Sequence, residues 1–121
     1  MTFQDLGLEP MLLKAVTEMG FENPTPIQEQ TIPQLKDKST DMVALAQTGT
    51  GKTAAFGLPL LQKLDLNSRF TQSLILAPTR ELCVQISKDL INFCNNGKPK
   101  AAVLPVPVCA NATMSVDLSF N

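Results

Sequence analysis

Histidine, tryptophan and tyrosine do not occur in this chain, so its six phenylalanines are its only large aromatic rings. The lack of histidine removes histidine-based catalytic triads and histidine-ligated metal sites. The scarcity of rings removes most aromatic platforms for nucleic-acid bases. The three cysteines, Cys83, Cys94 and Cys109, are odd in number and lack C-x-x-C spacing, which argues against a disulfide framework or a zinc site. A reducing, cytoplasmic setting fits that usage. No apolar run approaches the length of a membrane span, and the start M-T-F-Q-D-L-G has no basic segment followed by an apolar one, so the expected location is cytosolic. A net charge of −1 supplies no global electrostatic footprint for nucleic acid, and any such contact must come from local groups.

With 121 residues, 44% of them hydrophobic, the chain has the length and material for one soluble domain with a real core. Leu8 to Met19 reads as a helix, with Pro10 in its first turn, Leu12, Leu13, Val16 and Met19 at helical spacing, and Gly20 where a C-terminal cap belongs. A second helix begins at Thr25 with Pro26 first. Thr25 and Gln28 stand in the relation of a capping box. Pro33 is expected to end or kink this helix, and Lys36 to Asp41 is a polar connection into a strand, Met42 to Leu45. Ala54 to Leu64 reads as a helix bent at Pro59, and Ser73 to Ala77 as a short buried strand. Thr79 can cap a helix carrying Leu82, Ile86, Leu90 and Phe93 until Asn95-Asn96-Gly97 stops it. Ala101 to Val108 has strand-like valines, but Pro105 and Pro107 demote it to an edge or an irregular segment. The alternation predicts an α/β domain, a parallel sheet flanked by helices, with only three strands to count.

Ala46 to Thr53 reads A-Q-T-G-T-G-K-T between the predicted strand and helix, the context that a phosphate-binding loop requires. Gly49 and Gly51 let the backbone of Thr48 to Gly51 turn sharply and bring its N–H groups against phosphate oxygens. The helix starting near Gly51 adds its N-terminal dipole and unpaired amides. Lys52 can reach the β- and γ-phosphates, and the Thr53 hydroxyl can hold a magnesium ion that bridges the same oxygens.

This loop resembles motif I of the DEAD-box ATP-dependent RNA helicases, and two further stretches agree. Gly20-Phe21-Glu22-Asn23-Pro24-Thr25-Pro26-Ile27-Gln28 resembles that family's Q motif, with Phe3 as its isolated upstream aromatic. Pro78-Thr79-Arg80-Glu81-Leu82 resembles motif Ia. The resemblance covers roughly residues 1 to 105. It implies part of a P-loop, RecA-like domain that takes ATP and magnesium, with Thr48, Gly49, Thr50, Gly51, Lys52 and Thr53 around the phosphates. It further implies that Gln28 reads the adenine, Phe21 lies against the ring, Phe3 supports the pocket from outside, and Pro78, Thr79 and Arg80 contact the RNA backbone. Each residue also has a plainer role. Gln28 completes the capping box, the phenylalanines pack in the core, Thr79 only caps, and Arg80 only pairs with a nearby acid.

Hydrolysis by a P-loop enzyme needs a carboxylate at the end of another strand and a group that positions water. In the resembled family these come from the D-E-A-D motif, followed by S-A-T and a second domain, and none of these is in the sequence. After Thr53 the acids are Asp65, Glu81, Asp89 and Asp117, none in an apolar strand and followed by glutamate. The expected organisation is therefore a Q-motif region at 1–29, the first half of an ATP-binding domain at 30–105, and a divergent, aberrant end at 106–121. The alternatives are a nucleotide- or RNA-binding piece without turnover, or a non-functional remnant. A small kinase is disfavoured because it needs neither Gln28 nor P-T-R-E-L. With the flanking strands missing, the Leu45 edge is expected to be exposed and the chain loosely packed or self-associating.

Overall fold

Pro10 fixes the first turn of α1 (Pro10–Glu18), whose Leu12, Ala15 and Val16 fall on one face and are buried. The helix closes through a Schellman arrangement. The Gly20 N–H donates to the Thr17 carbonyl at 3.0 Å and the Phe21 N–H to the Val16 carbonyl at 2.9 Å. Gly20, at φ +83°, takes the left-handed conformation this closure requires. The computed structural model describes residues 1–37, 41–47, 49, 51–65, 67, 70–97, 104–110 and 113–119. Its remaining elements are α2 (Pro26–Asp37), α3 (Lys52–Lys63), β1 (Leu74–Ala77), α4 (Arg80–Gly97), β2 (Leu104–Ala110) and β3 (Thr113–Ser119).

One core gathers the helices. Leu12 and Val16 of α1 meet Ile32 of α2, Leu58 and Leu61 of α3, and Cys83, Leu90 and Phe93 of α4, with Phe3, Leu6 and Leu8 closing it from the N-terminal segment. Burying each large aliphatic or aromatic side chain stabilises by roughly 1.5–3 kcal/mol relative to leaving it exposed. Of the two outcomes expected at Pro33, an end or a kink, the helix does not end there, and that packing explains why. The helix runs on to Asp37, its buried face docked on α3, where the Thr31 hydroxyl donates to the Ile27 carbonyl at 2.8 Å and the Ala55 carbonyl at 3.2 Å. Pro59 is likewise carried inside α3.

The sheet departs from the sequence expectation in two ways. Residues 41–47 form no strand, and Val43 and Leu45 are each 90% exposed. A parallel strand is stable when both of its faces and both edges are covered, and no described strand lies beside this segment. The three described strands also pair antiparallel, in the order β1-β3-β2, where a parallel sheet was expected. Leu74 faces Asp117 and Ala77 faces Met114 across β1 and β3, while Leu104 faces Ser119 and Ala110 faces Thr113 across β2 and β3. Only residues 111 and 112 separate β2 from β3, and a two-residue link permits an antiparallel hairpin but no crossover. Pro105 and Pro107 stand in the edge strand, as expected of residues without an N–H. The segment read as a divergent end thus supplies the central strand.

Leu74 and Leu76 are exposed on β1, so with Val43 and Leu45 four large apolar side chains face solvent on two stretches of the chain. Exposed apolar surface of this kind drives association. The expected outcome is concentration-dependent self-association in sedimentation velocity, reduced by the double substitution Val43→Lys, Leu45→Lys. A wild-type chain that stays monomeric at all concentrations contradicts this.

Candidate nucleotide site

Gln28 sits in the first turn of α2 and is 1% exposed. Its Oε1 accepts the Thr25 N–H at 3.0 Å, and its Nε2 donates to the Gly51 carbonyl at 3.1 Å. The first bond is the return half of the capping box. The other half is not made, since the Thr25 hydroxyl oxygen is buried without a hydrogen-bond partner. The second bond joins the start of α2 to the phosphate loop. Each end of the amide has used one of its two hydrogen-bonding positions, leaving one donor and one acceptor. Capping and base recognition therefore do not exclude each other by count, although Gln28 lies behind Gly51 and is not on the cavity wall.

Gly49 and Gly51 have φ +81° and +78°. A Cβ at Gly51 would collide with the Gln28 amide nitrogen as well as strain the backbone, so glycine is required there twice over. Gly51 is the N-cap of α3, and no side chain caps this helix. The Gly51 carbonyl also accepts the Ala55 N–H at 3.2 Å. The first-turn amides of α3 stay unclaimed by side chains and, with the exposed Lys52 ammonium and the half-buried Thr53 hydroxyl beside them, form an anion-binding arrangement. Thr48 and Thr50, also predicted here, lie outside the described residues.

Gly49, Gly51, Lys52 and Thr53 line a cavity of about 580 Å³ together with Phe21 and, from α4, Leu82, Gln85, Ile86, Asp89 and Phe93. Phe21 is 36% exposed. Phe3 meets it edge-on, with centroids 6.4 Å apart at 70°, and Phe93 lies nearly parallel to it at 6.2 Å and 28°. Phe3 is buried beside Phe21, at the edge of its ring. The α4 wall was not foreseen. Phe93 reads as one more core position in a helical stripe, and nothing in its spacing links it to Phe21. Burial pushes the Asp89 carboxyl above its ordinary value. Among the described residues, no group of three histidines, cysteines or acids could hold a metal ion.

Pro78, Thr79 and Arg80 stand together, exposed, at the start of α4. Thr79 does cap the helix, its hydroxyl accepting the Leu82 N–H at 3.2 Å. Arg80 has no carboxylate partner among the described residues.

Set beside known proteins, residues 25–113 match the family described as DEAD/DEAH box helicase. The chain belongs to this family. It is 47% identical over 105 residues to a DEAD-box ATP-dependent RNA helicase CshA of Geobacillus kaustophilus, covering 87% of this chain and 22% of that protein. It is 50% identical over 105 residues to the Bacillus subtilis protein of the same name, covering 87% and 21%. The chain therefore spans about a fifth of the length of these relatives. Among solved structures, Saccharomyces cerevisiae Dbp5 bound to RNA and ADP BeF3 superimposes with a TM-score of 0.75 at 39% identity, covering 80% of this chain and 25% of that one. Prp28 from Chaetomium thermophilum bound to ADP gives 0.77 at 35%, covering 91% and 27%. The fold is thus a partial α/β domain of the RecA-like type.

A half-buried carboxyl on the wall of this cavity has a pH signature. Asp89 holds its proton more tightly folded than unfolded, so its contribution to stability is greatest in acid and is lost as pH rises from the ordinary aspartate value through the raised folded value. The Asp89→Asn variant should therefore melt higher than wild type at pH 7, with the gap closing toward pH 4, by scanning calorimetry. An equal gap at both pH values contradicts the assignment.

Proposed function

We propose that this chain is the ATP-recognising half-site and first RNA-contact motif of a DEAD-box RNA helicase, binding nucleotide without turning it over unaided. The observation that carries this reading is the Gln28 amide bridge, which ties the Q-motif region to the phosphate loop beside one cavity that Phe21 and Lys52 share.

In this reading adenine lies on the open part of the Phe21 ring, and Gln28 offers its remaining donor and acceptor to the base edge when the covering atoms part. The amides at the start of α3 and the Lys52 ammonium take the phosphate oxygens. Thr53 would hold magnesium, whose chemistry when bound is to neutralise charge between the β- and γ-phosphates. The donor set fits that role only in part, since one hydroxyl is present and no described carboxylate cluster completes it. At the start of α4, Thr79 and Arg80 would contact RNA phosphates without regard to sequence, a proposal that draws on the RNA bound by Dbp5 in its solved structure.

These 121 residues contain no D-E-A-D carboxylates, so hydrolysis and strand separation, which the relatives' names imply, would need groups from elsewhere. Nucleotide or RNA binding without turnover is what the residues present support. No described helix is long and apolar enough to cross a membrane. Burial of Cys83 and Cys94 in the core suits a reducing, cytoplasmic setting.

Calorimetric titration of Mg·ATP, beside an ATPase assay with and without RNA on the same sample, tests the proposal. Binding without turnover is expected, with Lys52→Ala weakening ATP at least about tenfold through loss of a charge-assisted contact. RNA-stimulated hydrolysis contradicts the turnover part. Absence of ATP binding contradicts the whole.

A further inference from the structure

Resting on the nucleotide reading, we infer that Phe93 is a positioning residue for the base. It fixes the ring of Phe21 in the orientation on which a planar base stacks. Phe21 follows the last turn of α1, where only its backbone is held, by the N–H bond to Val16. Among the described residues its ring contacts are with Phe3 at its edge and Phe93 near-parallel to it. The two contacts are unequal in what they control. An edge contact permits the Phe21 ring to tilt, while a near-parallel neighbour at 6.2 Å sets the plane of the ring.

Phe93 is suited to that work because it does not move itself. It is 1% exposed, lies in the body of the 18-residue α4, and belongs to the core that includes Leu12 and Val16 of α1. A helical residue so packed has its rotamer set by the turn before it and by its neighbours. Phe21, by contrast, lines the cavity and is 36% exposed, so one part of its ring is free to receive a ligand. A ring already locked in place gives up less conformational freedom when a base stacks on it than a ring free to rotate. Phe93 thus acts on base affinity through Phe21 and has no effect on how the phosphate loop grips phosphate, since Lys52 and the start of α3 are held by other contacts, the Gln28 bridge among them.

The consequence is a selective one. The test compares Mg·ATP with magnesium tripolyphosphate, which carries the phosphates and lacks the base, by titration calorimetry on the full chain. Phe93→Leu should weaken ATP about five- to tenfold and tripolyphosphate less than about twofold. Phe93→Met, which fills more of the volume without a ring, serves if the leucine variant does not fold. Leu90→Ala, an equally buried change one turn earlier in α4, should lower the melting temperature and leave the ratio of the two affinities unchanged. In a Phe21→Leu background, Phe93→Leu should have no further effect on that ratio, because the ring it orients is gone.

Equal weakening of ATP and tripolyphosphate by the Phe93 variants overturns the inference, as does an undiminished effect without Phe21. A wild-type chain that binds tripolyphosphate but gains nothing from the base also overturns it while sparing the phosphate loop. A wild-type chain that binds neither ligand overturns the nucleotide reading itself, and this inference with it.

Discussion

The side-chain amide of Gln28 is the joint on which the site depends. A buried amide with an unmet donor or acceptor loses about 1–3 kcal/mol, and Gln28 avoids this by spanning two backbone groups, the nearby Thr25 N–H and the Gly51 carbonyl, the latter 23 residues away from Gln28 in sequence. The bond to Gly51 has a steric condition, since any Cβ at that position would occupy the space of the amide nitrogen. Glycine at 51 therefore serves two ends at once, the left-handed turn that starts α3 and the close approach of α2. A glutamate at position 28 would keep the acceptor and lose the donor, and an asparagine would keep the chemistry and lose the reach.

Around that joint the fold supplies rigid walls. The Schellman closure of α1 delivers Phe21 to the cavity, the unoccupied cap of α3 delivers amides and Lys52 to it, and α4 forms the far side. Helix α4 also begins at Arg80, so the exposed cation assigned to RNA and the ring that backs Phe21 stand on one rod, about 20 Å apart at 1.5 Å per residue. The chain belongs to the DEAD/DEAH box family and spans about a fifth of the length of the relatives it matches.

Much of this was legible in the sequence because local chemistry decides it. Pro10 and Gly20 bracket α1, Thr79 caps α4, and A-Q-T-G-T-G-K-T produces left-handed glycines ahead of a helix. The failures share a cause, which is dependence on distant neighbours. Met42 to Leu45 has the composition of a buried strand, but burial on both faces is conferred by other strands and not by the segment itself. The parallel sheet was inferred from alternation, yet a two-residue link between β2 and β3 forces the antiparallel choice. Pro33 does not end α2, because packing against α3 holds the helix beyond it. Phe93 declared itself as core and kept its second contact, with Phe21, hidden until the chain folded.

The central claim is that base-side and phosphate-side residues respond to nucleotide as one unit because Gln28 joins them. Hydrogen–deuterium exchange with and without Mg·ATP tests it most directly. The account predicts that residues 21–28 and 51–55 slow together, and that both responses shrink in Gln28→Ala. Slowing confined to 51–55, or a response at 21–28 that survives Gln28→Ala undiminished, would contradict it.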